Sequence, residues 1–108
     1  MSLEVSIVMN SYNRYPQCLY SLYALEAQTF SHSKMEVIFV DDASTDETPI
    51  LQNYSSSYTF KYIRCSKNQG RSKAKNIGID AAEGNIIIML DAEVIVAPNC
   101  VEQQYLYH

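Results

Sequence analysis

The chain has 108 residues, 47% of them apolar and 19% charged, with a net charge of −4. That is room for one small domain with one core. The composition excludes a disordered chain, and the acidic balance argues against a general nucleic-acid binder, whose partner attracts basic faces.

Glu4 to Asn10 is rich in β-branched residues and predicts a first strand. The polar loop Ser11 to Pro16 follows, with Pro16 suited to a helix start, and Leu19, Leu22 and Leu25 repeat at helical spacing as far as Gln28. Met35 to Val40 is a second strand, nearly continuous in apolar residues and therefore buried on both faces. After Asp41-Asp42-Ala43-Ser44, the Ser44 to Glu47 spacing is that of a capping box and predicts a helix to Tyr54. Thr59 to Arg64 reads as a third strand. Asn68-Gln69-Gly70 opens a helix from Arg71 to Ala82, closed by Gly84 at a C-cap-like position. Asn85 to Leu90 is a fourth strand, and a short helix is expected between Pro98-Asn99 and Tyr107.

This order implies an α/β, Rossmann-like parallel sheet with right-handed crossovers, helices on both faces and strand order 3-2-1-4. Ligands of such sheets bind beyond the carboxyl ends of the strands, where the order reverses. Asn10-Ser11-Tyr12, Asp41-Asp42 and Asp91-Ala92-Glu93 are brought to that rim. Four carboxylates at one sheet edge repel each other unless something positive sits among them. Their hard oxygens suit Mg²⁺ or Mn²⁺, which bind through one or two carboxylates plus substrate phosphates. Singly, Asp41, Asp42 and Asp91 read better as turn or helix caps; their convergence favours a ligand site.

Other features are plainer. Six of the eight basic residues lie between Lys61 and Lys75, a run that reads as a solvated helix face as readily as a binding surface. Cys18, Cys65 and Cys100 have no C-x-x-C spacing and read as small buried residues in a reducing compartment. Neither a secretion signal nor a membrane-spanning run is present, so the expected location is cytoplasmic, at the inner face of the membrane in a longer parent. His32 is expected in a solvated loop and His108 at a frayed end, neither catalytic. Tyr20, Tyr23 and Tyr62 are expected to pack where helices meet the sheet.

Val5 to Arg14 resembles the opening strand and loop of family 2 glycosyltransferases with the GT-A fold. Glu36 to Thr48, with Val40-Asp41-Asp42-Ala43-Ser44 at its centre, resembles their second signature. Asn68-Gln69-Gly70 with Ala74-Lys75-Asn76-Ile77-Gly78, and Ala82 to Glu93, resemble the third and fourth in order and spacing. The likeness covers roughly Val5 to Tyr107. It implies that residues 1–108 are the nucleotide-sugar-binding, N-terminal half of such a domain, with the catalytic base downstream. The donor, a UDP-sugar first of all, would meet Ser11, Tyr12, Asn13, Asp41, Asp42, Lys75 and Asp91. Asp41 would take a hydrogen bond from the base, Tyr12 would stack on it, and Lys75 would offset phosphate charge, assisted by Arg71 or Lys73. Glu93 would ligate the metal, with Asp91 at the metal through a bound water or at the donor ribose. The acceptor, a saccharide or lipid-linked saccharide, is not named by the sequence. Asn10 replaces the usual Pro, Lys75 the usual Arg fork, and Glu93 the usual second Asp, which adds a methylene at the metal.

A non-catalytic nucleotide-sugar-binding or interaction module is the alternative from another class. Dinucleotide-binding and P-loop folds are excluded, because G-x-G-x-x-G and G-x-x-x-x-G-K-[ST] are absent. A phospho-receiver domain has its acidic pair after strand one, not strand two. The Ile86-Ile87-Ile88 edge of the fourth strand is expected to invite self-association.

Overall fold

The computed structural model describes residues 2–107; His108 lies outside them. Its elements are β1 (Val5–Ser11), α1 (Gln17–Glu26), β2 (Met35–Asp41), β3 (Thr59–Arg64), α2 (Arg71–Ala81), β4 (Ile86–Asp91) and α3 (Cys100–Leu106). The four strands form one sheet in the order β3-β2-β1-β4, all parallel, with Asn10 beside Val40 and Asp91 and Asp41 beside Arg64. The expected topology and order are those observed.

Alternation along the strands divides the core in two. Val5, Ile7 and Met9 of β1 join Val37 and Phe39 of β2 on the face covered by Leu22 and Leu25 of α1 and Val101 of α3. Val8, Ile38 and Val40 lie on the other face beneath Ala74 of α2. Helices therefore cover both faces. All of β2 is buried, as its nearly continuous apolar run predicts, and its two charges, Glu36 and Asp41, are buried with it. Glu36 is buried with its Oε1 2.8 Å from Lys61 Nζ, while Oε2 accepts from Ser6 Oγ at 2.5 Å and Glu83 N at 2.7 Å. Burial alone would raise its pKa. The Lys61 ammonium and the donated hydrogen bonds outweigh burial and hold the carboxyl below its ordinary value.

Several local expectations are corrected. The Ser44–Glu47 capping box does not form: Thr48–Asn53 is a 3₁₀ turn without a side-chain cap. Ser44 Oγ accepts from Asn13 N at 3.0 Å, and the Asp46 carboxylate takes Thr48 N and Oγ1 at 2.9 and 2.6 Å. Gly84 caps nothing, since α2 ends in an extended Ala82. A Cβ on Gly84 would lie 2.7–2.8 Å from Ser6 and Val5, so close approach to β1 explains that glycine. His32 is a bridge and not a free loop residue, with Nδ1 2.6 Å from Ser57 Oγ and Nε2 3.0 Å from Gln28 O. Tyr20 and Tyr23 are half-exposed, because Cys18, Leu22 and Leu25 already fill the buried stripe of α1.

Candidate functional site

The carboxyl ends of β1, β2 and β4 open onto a crevice of about 300 Å³. β1 and the loop after it supply Asn10, Ser11, Tyr12 and Arg14; the end of β4 supplies Asp91, Ala92 and Glu93. The entry to α2 contributes Asn68, Gly70 and Arg71, with Asp42 beside them. These are the positions at which the strand order reverses, as the ligand rule for such sheets requires. Tyr12 is 44% exposed, which leaves a ring face for a planar ligand. Ser11 is buried, and its hydroxyl has no hydrogen-bond partner among the described residues. Buried hydroxyls are seldom left unpaired, so a hydrogen-bonding capacity is left over at the crevice wall.

The loops around the crevice hold one another. Asn13, at φ 53°, accepts through its carboxamide oxygen from Thr45 N at 2.7 Å and Asp46 N at 3.2 Å. Tyr15 N donates to Asp46 Oδ2 at 3.1 Å. On the other side, Ser21 Oγ donates to Ala92 O at 3.0 Å, and Gln28 clamps the segment between β4 and α3 through Ala97 O at 2.8 Å and Val101 N at 2.9 Å. The loop after β1 is thereby tied to the loop after β2, and α1 to the loop after β4.

The two aspartates after β2 behave differently. Asp41 is 0% exposed. Its Oδ1 accepts from Ser44 N at 2.9 Å, and its Oδ2 from Arg64 Nη1 at 2.8 Å and from the Tyr62 hydroxyl. Burial, and then the hydrogen bond to Asp41 and its charge, raise the Tyr62 pKa and keep that hydroxyl a donor. Asp42 accepts from Gln69 N at 2.8 Å and Gly70 N at 3.0 Å, which anchors the turn where Gly70, at φ 91°, leads into α2. Across the crevice, Arg14 Nε lies 3.4 Å from Glu93 Oε2. Asp91 is exposed.

Among the described residues, no three His, Cys, Asp or Glu side chains are grouped to hold a metal by themselves. Asp91 and Glu93 nevertheless put two hard carboxylates on one wall. That donor set suits a cation which takes one or two carboxylates and completes its shell from phosphate and water, as Mg²⁺ does.

The family model for Glycosyl transferase family 2 matches residues 6–108. The chain belongs to that family. It is 35% identical over 107 residues to an uncharacterized glycosyltransferase, sll0501, of Synechocystis sp., an alignment covering 95% of this chain and 33% of that protein. It is 29% identical over 93 residues to the poly(ribitol-phosphate) β-N-acetylglucosaminyltransferase TarS of Staphylococcus aureus, covering 84% of this chain and 16% of TarS. The crystal structure of S. aureus TarS 1–349 in complex with UDP-GlcNAc is similar with a TM-score of 0.90 at 25% identity, over 97% of this chain and 31% of that one. The mannosyltransferase PcManGT of Pyrobaculum calidifontis, in complex with GDP-Man and Mn²⁺, is similar with a TM-score of 0.77 at 26% identity, over 86% of this chain and 28% of that one. The chain thus spans about a third of the length of its Synechocystis relative.

In this family 2 chain, Ser11, Tyr12, Asp42, Asp91 and Glu93 all line the crevice. Asn13, Asp41 and Lys75 do not. Asn13 is spent on the neighbouring loop, Asp41 lies buried beneath the rim, and half-buried Lys75 sits one helical turn beyond Arg71. Arg71, not Lys75, is the α2 cation at the crevice. Arg14, Asn68 and Gly70 line it as well, and residue type alone singles out none of them. For Gly70 the signal is its place just before a helix that starts at the sheet's reversal.

Proposed function

We propose that this chain is the donor-binding part of an inverting glycosyltransferase that holds a nucleoside-diphosphate sugar, a UDP-sugar first of all, with Mg²⁺ or Mn²⁺, and passes the sugar to an acceptor hydroxyl. The observation that carries this reading is the crevice at the sheet's reversal. It joins a half-exposed Tyr12, two carboxylates on the β4 wall and Arg71 at the entry to α2. The likeness to TarS, solved with UDP-GlcNAc, supports uridine as the nucleoside.

On this reading Tyr12 stacks on the base, a contact worth about 1–3 kcal/mol in nucleic-acid systems. Asp41 has given up three of the roughly four acceptor positions of a carboxylate to Ser44, Tyr62 and Arg64. The fourth is free for a base N–H once the Arg64 side chain, 42% exposed, moves aside. Ser11 offers its unpaired hydroxyl. Arg71, with Lys75 behind it, faces the diphosphate, and Asp91 and Glu93 hold the cation. When bound, the cation offsets charge developing on the diphosphate leaving group. The base that takes the acceptor's proton is supplied outside residues 1–108. The reading also places the chain in the cytoplasm. Its three cysteines are free, and burial, followed by the Asp46 charge, pushes the Cys18 thiol up to about 11 and keeps it protonated.

Calorimetric titration of the chain with UDP tests the site. Binding is expected to tighten with Mn²⁺, and Asp91→Asn is expected to remove at least about tenfold of that gain, one contact to a charged group being worth about 1.5–3 kcal/mol. Absence of UDP binding with and without Mn²⁺ would refute the reading.

We also infer self-association through β4. That strand pairs with β1 alone, and on the face shared with α2 its Ile87 and Met89 are 41% and 37% exposed. An unpaired edge of this kind templates another strand. Sedimentation over a concentration series is expected to show a growing dimer, weakened by Ile87→Lys; a strict monomer throughout would rule this out.

A further inference from the structure

An ion pair joins the two loops that flank the crevice. Arg14, after β1, reaches Glu93, after β4, with Nε 3.4 Å from Oε2, and the two side chains are 51% and 55% exposed. Both line the crevice, where Asp91 and Arg71 make no ion pair among the described residues. The guanidinium of Arg14 therefore stands at one of the two carboxylates that suit a cation. A divalent ion and a guanidinium repel each other, so a cation at Glu93 loosens the hold of Arg14 on it.

We propose that Arg14 is a donor-binding residue that exchanges partners. It rests on Glu93 while no cation is present, and it moves to the oxygens of the diphosphate when a cation takes Glu93. The proposal rests on the reading of this crevice as a donor site. The backbone at Arg14 is fixed on both sides: Asn13 is pinned to Ser44, Thr45 and Asp46, Tyr15 N is bound to Asp46, and Arg14 O accepts from Cys18 N at 2.8 Å. Only the side chain is left to move. Its planar fork matches two phosphate oxygens at once. An exposed ion pair biases an equilibrium by a factor of at most ~5, so a diphosphate outcompetes Glu93 with ease. The exchange couples the two ligands, because the cation releases the cationic side chain that the nucleotide then receives. Cation and nucleotide bind with positive cooperativity for that reason.

The test is Arg14→Gln in the full chain, with Mn²⁺ binding read by electron paramagnetic resonance without nucleotide and UDP binding by calorimetry in saturating Mn²⁺. Mn²⁺ alone is expected to bind the variant about three- to fivefold tighter, because Glu93 is freed. UDP is expected to bind about tenfold weaker, because a charge-assisted contact to phosphate is lost. Arg14→Lys, which keeps the charge without the fork, is expected to fall between wild type and Arg14→Gln for UDP. The opposite signs for metal and nucleotide are what a merely structural residue would not produce. Any other pattern, in a wild type that binds UDP with Mn²⁺, overturns the exchange and leaves the donor site standing. A wild type that binds no UDP overturns both.

Discussion

Gly78→Leu is expected to lower the melting temperature by at least about 15 °C, at roughly 4–8 °C per kcal/mol for a domain of this size. A Cβ at this position would lie 2.4 Å from Val8 Cγ1 and 3.3 Å from Val40 Cγ2. Val8 and Val40 belong to the two central strands, each paired on both sides, so neither can retreat. The helix must lift instead. Overpacking a good core costs about 1–3 kcal/mol, and a side chain with no space at all exceeds that range. Gly78→Ala meets the same contact but gains about 1 kcal/mol of helix propensity, so its loss is expected to be smaller. The effect reaches the crevice, because α2 begins with Arg71 and is led in by Gly70, both of which line it. A Gly78→Leu protein melting within about 3 °C of wild type would show that α2 does not pack on β1 as described.

Asp41→Ala is expected to destabilise the fold by about 3 kcal/mol and to abolish UDP binding. Three donors converge on this carboxylate, and removing one partner of a buried ion pair typically costs about 3–5 kcal/mol. Arg64 is half open to water and can be rehydrated, which places the loss at the lower end. Ser44 N, whose acceptor vanishes, has no such recourse. Asp41→Asn separates scaffold from ligand. It keeps an oxygen for Ser44 N and the shape of the side chain, and gives up the charge. Thermal unfolding is expected to show a smaller loss for Asp41→Asn than for Asp41→Ala, while calorimetry shows UDP binding weakened in both. Equal UDP affinity in wild type and Asp41→Asn would make Asp41 a scaffold residue only.

The topology was legible because each strand carries its own signal and the α/β alternation leaves few ways to connect them. β2 is the clearest example: seven buried residues in a row follow from a nearly unbroken apolar run. The place of Ser11, Tyr12, Asp42, Asp91 and Glu93 at the crevice was legible for a related reason, since the reversal of strand order marks that rim before any side chain is placed. What sequence could not convey were choices among equally good local partners. Ser44 has capping-box spacing, yet Asn13, brought near only by the parallel pairing of β1 with β2, claims its hydroxyl. Gly84 stands where a helix cap would, but the tight passage over Ser6 is set by a strand far away in the chain. Lys75 and Arg71 share a helix face, and only the position of the crevice, which Arg71 lines and Lys75 does not, distinguishes them.

The two acidic ends of β2 have a consequence for its outer neighbour. Glu36 near one end takes Lys61, and Asp41 at the other takes Arg64, both cations coming from β3, whose residues are partly or wholly open to water. Greasy contacts alone would let such a strand slide. A shift of one residue would turn Lys61 and Arg64 to the wrong sides of the sheet and strand two anions in a dry interior. The pairs act as dowels that lock the strand's alignment, so drift along β3 is free in its apolar letters but tied, at positions 61 and 64, to matching change in β2.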